Sequence, residues 1–237
     1  MKVSPPAGPL PGYCEAPATS PSFWQRARDA VTGLRVRYGT ARFWISIAIV
    51  FVLISGAGLQ LGKALHIVMK AHVAQALIRH AWQENLLAGE PNMKPWPWAD
   101  MAPVARMTLV RQRAELFVLN NDAPRTLAFG PGFRPQSTLP GRGGKTVISA
   151  HRDTHFSVLE NIAPGDLIEI QTIEGRELLY QVYARQVVDM HDMWVTEDNG
   201  QNELTLITCW PFDALVPRGP DRLIVSALPY IPPAITR

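Results

Sequence analysis

The sequence predicts an all-β domain, a closed barrel or a sandwich, preceded by a transmembrane helix and an amphipathic helix. Three observations carry this prediction. Beyond Pro103, short runs rich in β-branched residues follow one another with turn residues between them. Before them, Phe43 to Leu61 holds no charged residue. Between the two, apolar residues recur at helical spacing.

The strand runs are VARMTLV, ELFVLN, KTVISA, DLIEIQT, ELLYQVYARQVV, ELTLITC and RLIVSAL. Asn120-Asn121-Asp122, Pro164-Gly165-Asp166, Glu174-Gly175-Arg176 and Asp198-Asn199-Gly200 supply turns. One short helix is expected over Phe156 to Asn161, and a second near Arg125 to Phe129. The domain is expected to occupy residues 103–237.

The segments before it divide into three. Residues 1–42 are expected to form a disordered, basic leader, proline-rich to about residue 22 and then carrying Arg26, Arg28, Arg35, Arg37 and Arg42 against Asp29. Residues 43–61 are long enough to cross a bilayer, which takes roughly 20 apolar residues. The arginine excess on the N-terminal side places that terminus in the cytoplasm and the domain outside. A cleaved signal peptide is the rival, with Ser55-Gly56-Ala57 as its cleavage site. The leader is too long for an ordinary n-region, which favours an uncleaved anchor. Residues 62–102 hold the amphipathic helix, with Leu65, Met69, Val73, Ala76, Leu77, Ala81 and Glu84 on one face and stops at Gly89 and Pro91. The KPWPWADM linker then places its tryptophans at the bilayer interface or on the barrel's edge.

Composition bounds the function. At 47% hydrophobic the chain builds a core, and a net charge of +3, with its basicity gathered near the anchor, does not indicate nucleic-acid binding. There are two cysteines, Cys14 and Cys209. If the anchor spans a bilayer they lie on opposite sides and cannot pair.

Chemistry concentrates in Glu203 to Leu228 and in TVISAHRD upstream. ELTLITC is a strand ending in Cys209, and Trp210-Pro211 stops its ladder because proline has no N–H to donate. After a proline-broken loop, Arg222 opens the next strand. If the two pair antiparallel, the guanidinium comes near the thiol. A second apolar run ends in His151; if it lies parallel to ELTLITC, both residues emerge at one rim. A thiol attacks a carbonyl well only with its proton removed or removable nearby. A strand-held arginine can stabilise a developing oxyanion without reorganising. Arg218, in the loop, is expected to be solvated.

The TLITC pentapeptide, the arginine opening the next strand and SAHRDTHF upstream resemble the sortases, membrane-anchored cysteine transpeptidases. The resemblance spans roughly Val104 to Leu228 and is nearest to the type of Gram-negative bacteria, class GN. It implies an eight-stranded β-barrel. It also implies that Cys209 is the nucleophile, His151 the proton carrier, Arg222 the oxyanion stabiliser, and Thr208 part of the substrate site. The implied substrate is a secreted protein with a Leu-Pro-x-Thr-Gly-like C-terminal sorting signal, and the implied second partner is an amine acceptor in the cell envelope. The bond chemistry needs no cofactor or metal.

Competing motifs fail on spacing. His151-Arg152-Asp153 lacks the kinase asparagine, because Val158 stands there. Gly144-Lys145-Thr146 lacks the first phosphate-loop glycine, because Leu139 stands there. His151 and His155 have the spacing of a zinc pair, but Arg152 replaces the glutamate of the protease motif. His66, His72 and His80 read as surface residues. Leu139-Pro140-Gly141 reads as a turn. Asp153 either orients His151 or caps the helix that follows. Asp189, Asp192, Glu197 and Asp198 are too sparse to claim a calcium site.

Overall fold

The computed structural model describes residues 23–91, 93–198, 200–214 and 219–232. The proline-rich leader, Cys14 and Arg218 lie outside the described residues. The chain divides into two compact units, Met1–Leu65 and His66–Arg237.

The first unit contains the N-terminal part of helix α1 (Phe23–Ala88), which continues into the second. Its apolar side chains from Phe43 to Leu61 are exposed, as a lipid-facing helix requires. This is the one helix among the described residues that is long and apolar enough to cross a membrane.

The second unit is an eight-stranded closed barrel in the order β1-β2-β3-β4-β7-β8-β6-β5. Its strands are β1 (Pro103–Leu109), β2 (Ala114–Leu119), β3 (Gly132–Phe133), β4 (Lys145–Ser149), β5 (Leu167–Thr172), β6 (Glu177–Asp189), β7 (Glu203–Cys209) and β8 (Asp221–Pro229). Closure leaves no free sheet edge for another chain to pair with. Helix α2 (Pro124–Leu127) and a 3-10 helix over His155–Asn161 stand where the sequence places them. A second 3-10 turn, Met193–Thr196, was not anticipated. Nor was β3, two residues with no periodicity to read. A Cβ on Gly132 would collide with the Asn121 carbonyl, so only glycine lets the strand pass there.

Alternation directs one face of each strand inward. Met107, Leu109, Ile148, Ile168, Ile170, Leu204, Leu206 and Val225 fill the barrel with Phe156 and Leu159 of the 3-10 helix. A smaller cluster of Val147, Ile207 and Ile224 covers the outer wall along β4, β7 and β8. β7 is therefore buried on both faces over its first six residues, and only Cys209 at its end is partly exposed.

The C-terminal part of α1 corrects the expected amphipathic face by one residue. Ala74, Ile78, Ala81, Trp82 and Asn85 are buried, while Leu65, Met69 and Val73 are exposed. The small Ala74 and Ala81 let the helix approach closely, and Ile78 and Trp82 pack with Phe117 and Leu119 of β2. Asn85 closes the helix: its Oδ1 accepts from the Met93 N–H at 2.6 Å and its Nδ2 donates to the Pro103 carbonyl at 3.4 Å. Gly89 takes a positive φ of 71° directly after the helix ends. In the linker, Trp96 packs edge-on against Phe129, centroids 5.2 Å apart, whereas Trp98 is exposed.

Candidate active site

β4 and β7 run parallel, with Lys145↔Glu203 at one end and Ser149↔Ile207 at the other. Both strands therefore finish at the same rim, and His151 and Cys209 emerge there together. β8 pairs antiparallel to β7, and the last register pair is Cys209↔Arg222. Directly opposed residues in a ladder share a face. Ser149, Ile207 and Ile224 lie on the outer wall, and stepping by two puts His151, Cys209 and Arg222 on that same side. These residues line a groove of about 300 Å³ with Thr208, Ala150, Asp122, Leu127 and Arg134. The groove brings together all four predicted site residues. A larger apolar groove of about 720 Å³, lined by Met69, Val73, Trp96, Trp98 and Phe129 among others, includes none of those four residues.

Each side chain is held in its own way. Cys209 is half-buried and in no disulfide. The next residue closes the loop, Trp210 N–H donating to the Asp221 carbonyl at 3.0 Å. His151 is exposed, and its carbonyl accepts from Phe156 N–H at 3.0 Å, which fixes its backbone to the start of the 3-10 helix. Arg222 Nη1 donates to the Gly219 and Asp221 carbonyls at 2.7 and 2.9 Å, so one end of the fork is tied to the loop preceding β8. Thr208 is buried, and its Oγ1 donates to the Ala150 carbonyl at 2.9 Å. That bond joins the residue before Cys209 to the residue before His151. The Ala150 N–H, in turn, donates to the Ile207 carbonyl at 3.1 Å.

His155 lies close enough to His151 to feel its charge. Burial holds the His155 imidazole below its ordinary pKa, the charge of His151 lowers it further, and a backbone hydrogen bond at Ala128 opposes both. Asp153 accepts from Arg152 Nε at 3.1 Å.

A sortase-domain family model matches residues 107–230, more than half of the chain and almost all of the barrel. The chain belongs to the sortase family. Sortase D of Bacillus subtilis (strain 168) is 32% identical over 113 residues, which cover 47% of this chain and 56% of that protein. Among solved structures, sortase A from Corynebacterium diphtheriae superposes with a TM-score of 0.51 at 25% identity, covering 67% of this sortase and 84% of that chain. A complex of Streptococcus agalactiae sortase C1 with MTSET superposes at 0.50 and 24% identity, over 54% of this chain and 68% of that one, and speaks to the fold.

Sequence reasoning missed three polar residues around the sortase rim. Arg152 enters the sequence reading only as part of motifs, with no role of its own. Asp122 and Arg134 line the groove but come from the segments flanking β3, which the sequence did not reveal. Their flanking turn chemistry places them in loops without saying which loop meets the rim.

Proposed function

We infer that this sortase is a membrane-anchored cysteine transpeptidase that cleaves a Leu-Pro-x-Thr-Gly-like sorting signal and transfers the acyl part to an amine. The observation that carries the reading is the register: Cys209 stands opposite Arg222 on β8, and β4 delivers His151 to the same rim. Cys209 Sγ bonds to the carbonyl carbon before the scissile bond. His151 gives its proton to the departing amine as the C–N bond breaks, leaving a thioacyl enzyme. An incoming amine then attacks the thioester, its proton passes to His151, and the Cys209 thiolate departs. Arg222 stabilises the oxyanion in both steps. The Thr208 hydroxyl, engaged with Ala150, shapes the substrate site by holding the rim together.

The remaining assignments belong to the same proposal. Residues 43–61 anchor the protein as a single span in a bacterial inner membrane, N-terminus cytoplasmic, with residues 103–237 as the catalytic barrel on the periplasmic side, as in the class GN type. The substrate is a secreted protein bearing the signal, and the acceptor is an amine of the cell envelope.

The test uses the full chain in detergent micelles with a Leu-Pro-x-Thr-Gly-type peptide and an excess of a small amine. Mass spectrometry should find cleavage after threonine, an acyl adduct on Cys209 and amine-capped product, all lost in Cys209→Ala. Cleavage without capping would make the protein a thiol endopeptidase toward that amine. No adduct across a varied peptide panel, from a folded chain, would leave a peptide-binding barrel without catalysis.

A further inference from the structure

Arg152 directly follows exposed His151, yet only 3% of it is exposed. Its guanidinium turns inward and reaches the loop that descends from Cys209. Nη1 donates to the Pro211 carbonyl at 2.5 Å and Nη2 to the Ala214 carbonyl at 3.2 Å, while Nε donates to Asp153 Oδ1 at 3.1 Å. A guanidinium taken out of water is tolerated where its several donors are matched, and here two of its nitrogens are matched by main-chain oxygens of one loop. The base of that loop is held separately, by the Cys209↔Arg222 pair and by Trp210 N–H on the Asp221 carbonyl at 3.0 Å. Arg185 lies over the Trp210 ring at 5.1 Å, and Trp210 packs edge-on against Phe212. Among these contacts, the Arg152 fork is the one that ties the loop to the chain segment carrying His151.

We propose that Arg152 is a positioning residue of the transfer reaction: its fork locks the Pro211–Ala214 loop onto the His151 segment, so that nucleophile and proton carrier sit on one rigid rim. The role rests on the assignment of Cys209 and His151 given under Proposed function. Arginine suits it because two nitrogens of one plane reach two carbonyls at once; a lysine presents a single nitrogen and cannot span both. A rim loosened by about 1 Å costs on the order of 100-fold in rate.

The experiment compares Arg152→Lys and Arg152→Met with the unsubstituted full chain in detergent micelles. The methionine variant removes the buried charge altogether, so it stays informative if the lysine variant folds poorly. In the variants kcat for transfer should fall about 100-fold with KM little changed. Alkylation of Cys209 by iodoacetamide, mapped by mass spectrometry, should keep its rate, because the thiol itself is untouched. Amide hydrogen exchange should speed up over residues 210–214 and stay unchanged in β1 and β5. Wild-type transfer in both variants would overturn the proposal, as would loss of exchange protection throughout the barrel, which would make Arg152 a fold residue. Absence of transfer by the unsubstituted chain would sink the functional reading instead, and loop exchange alone would then decide whether the tether exists.

Discussion

The two ends of the β4–β7 pair are built on opposite principles. At the far end, Lys145 and Glu203 are register partners, both buried, with Nζ and Oε2 3.4 Å apart. Glu203 also accepts from Tyr183 Oη at 3.2 Å and Thr205 Oγ1 at 3.5 Å. At the near end, the same two strands release an exposed histidine and a half-buried cysteine into a groove. Charge is buried and matched at one end, and the groups proposed to react are left open at the other. The difference shows how a parallel pair delivers two side chains to one rim. Parallel strands have no hairpin turn to set their register, and a slip of one residue would turn every side chain to the wrong face. A matched buried ion pair tolerates one register and penalises the others.

The largest effect expected from breaking this contrast is at the closed end. Lys145→Met leaves the Glu203 carboxylate buried without its cation, a loss of about 3–5 kcal/mol in unfolding free energy. Urea denaturation measures it. Replacing both partners, with Lys145→Met and Glu203→Leu, should return most of that stability, because neither charge is then stranded. Folded molecules of either variant should alkylate Cys209 at the wild-type rate. A Lys145→Met variant within about 1 kcal/mol of wild type would mean the ion pair does not set the register.

Thr208→Val sharpens the comparison from the open end. The substitution keeps the shape and strips the hydrogen bond from the Ala150 carbonyl, which costs about 1–3 kcal/mol if that oxygen stays dry. If Thr208 works by holding the rim, kcat should fall while KM stays put. A rise in KM with kcat unchanged would instead place the hydroxyl in direct contact with substrate.

How far the sequence disclosed these two ends follows from the range of the interactions. Seven strands were legible because their alternation and bracketing turns are local signals. The meeting of Cys209 and Arg222 was legible too, since only one loop separates their strands. β3 was not, because two residues carry no period. Arg152 was opaque for another reason. Its burial depends on the Pro211 and Ala214 carbonyls, which are distant in the chain and leave no trace in residue type. The pairing of Lys145 with Glu203 was not legible, since nothing local says that two such strand starts coincide. The face of α1 was off by one residue because its outward row, Leu65, Met69 and Val73, is as apolar as the row that packs. Periodicity finds a stripe, but the closeness of approach, here through Ala74 and Ala81, decides which stripe is buried.

The smallest expected effect is a pH dependence that belongs to the open end alone. Burial is the main cause that lowers the His155 pKa, and the neighbouring His151 charge is the second. A histidine whose pKa is depressed on folding is favoured neutral in the folded state. Its contribution to stability is therefore complete above the unfolded value, near pH 6.5, and is lost as pH falls through the folded value. Glutamine at this position keeps a polar side chain but does not titrate. Denaturant midpoints at about pH 7.5 and pH 5.5 should thus drop further for the wild type than for His155→Gln. His151→Ala should shrink the gap, because it removes the second cause while leaving burial in place. Equal drops in wild type and His155→Gln would mean that protonating His155 costs the fold nothing.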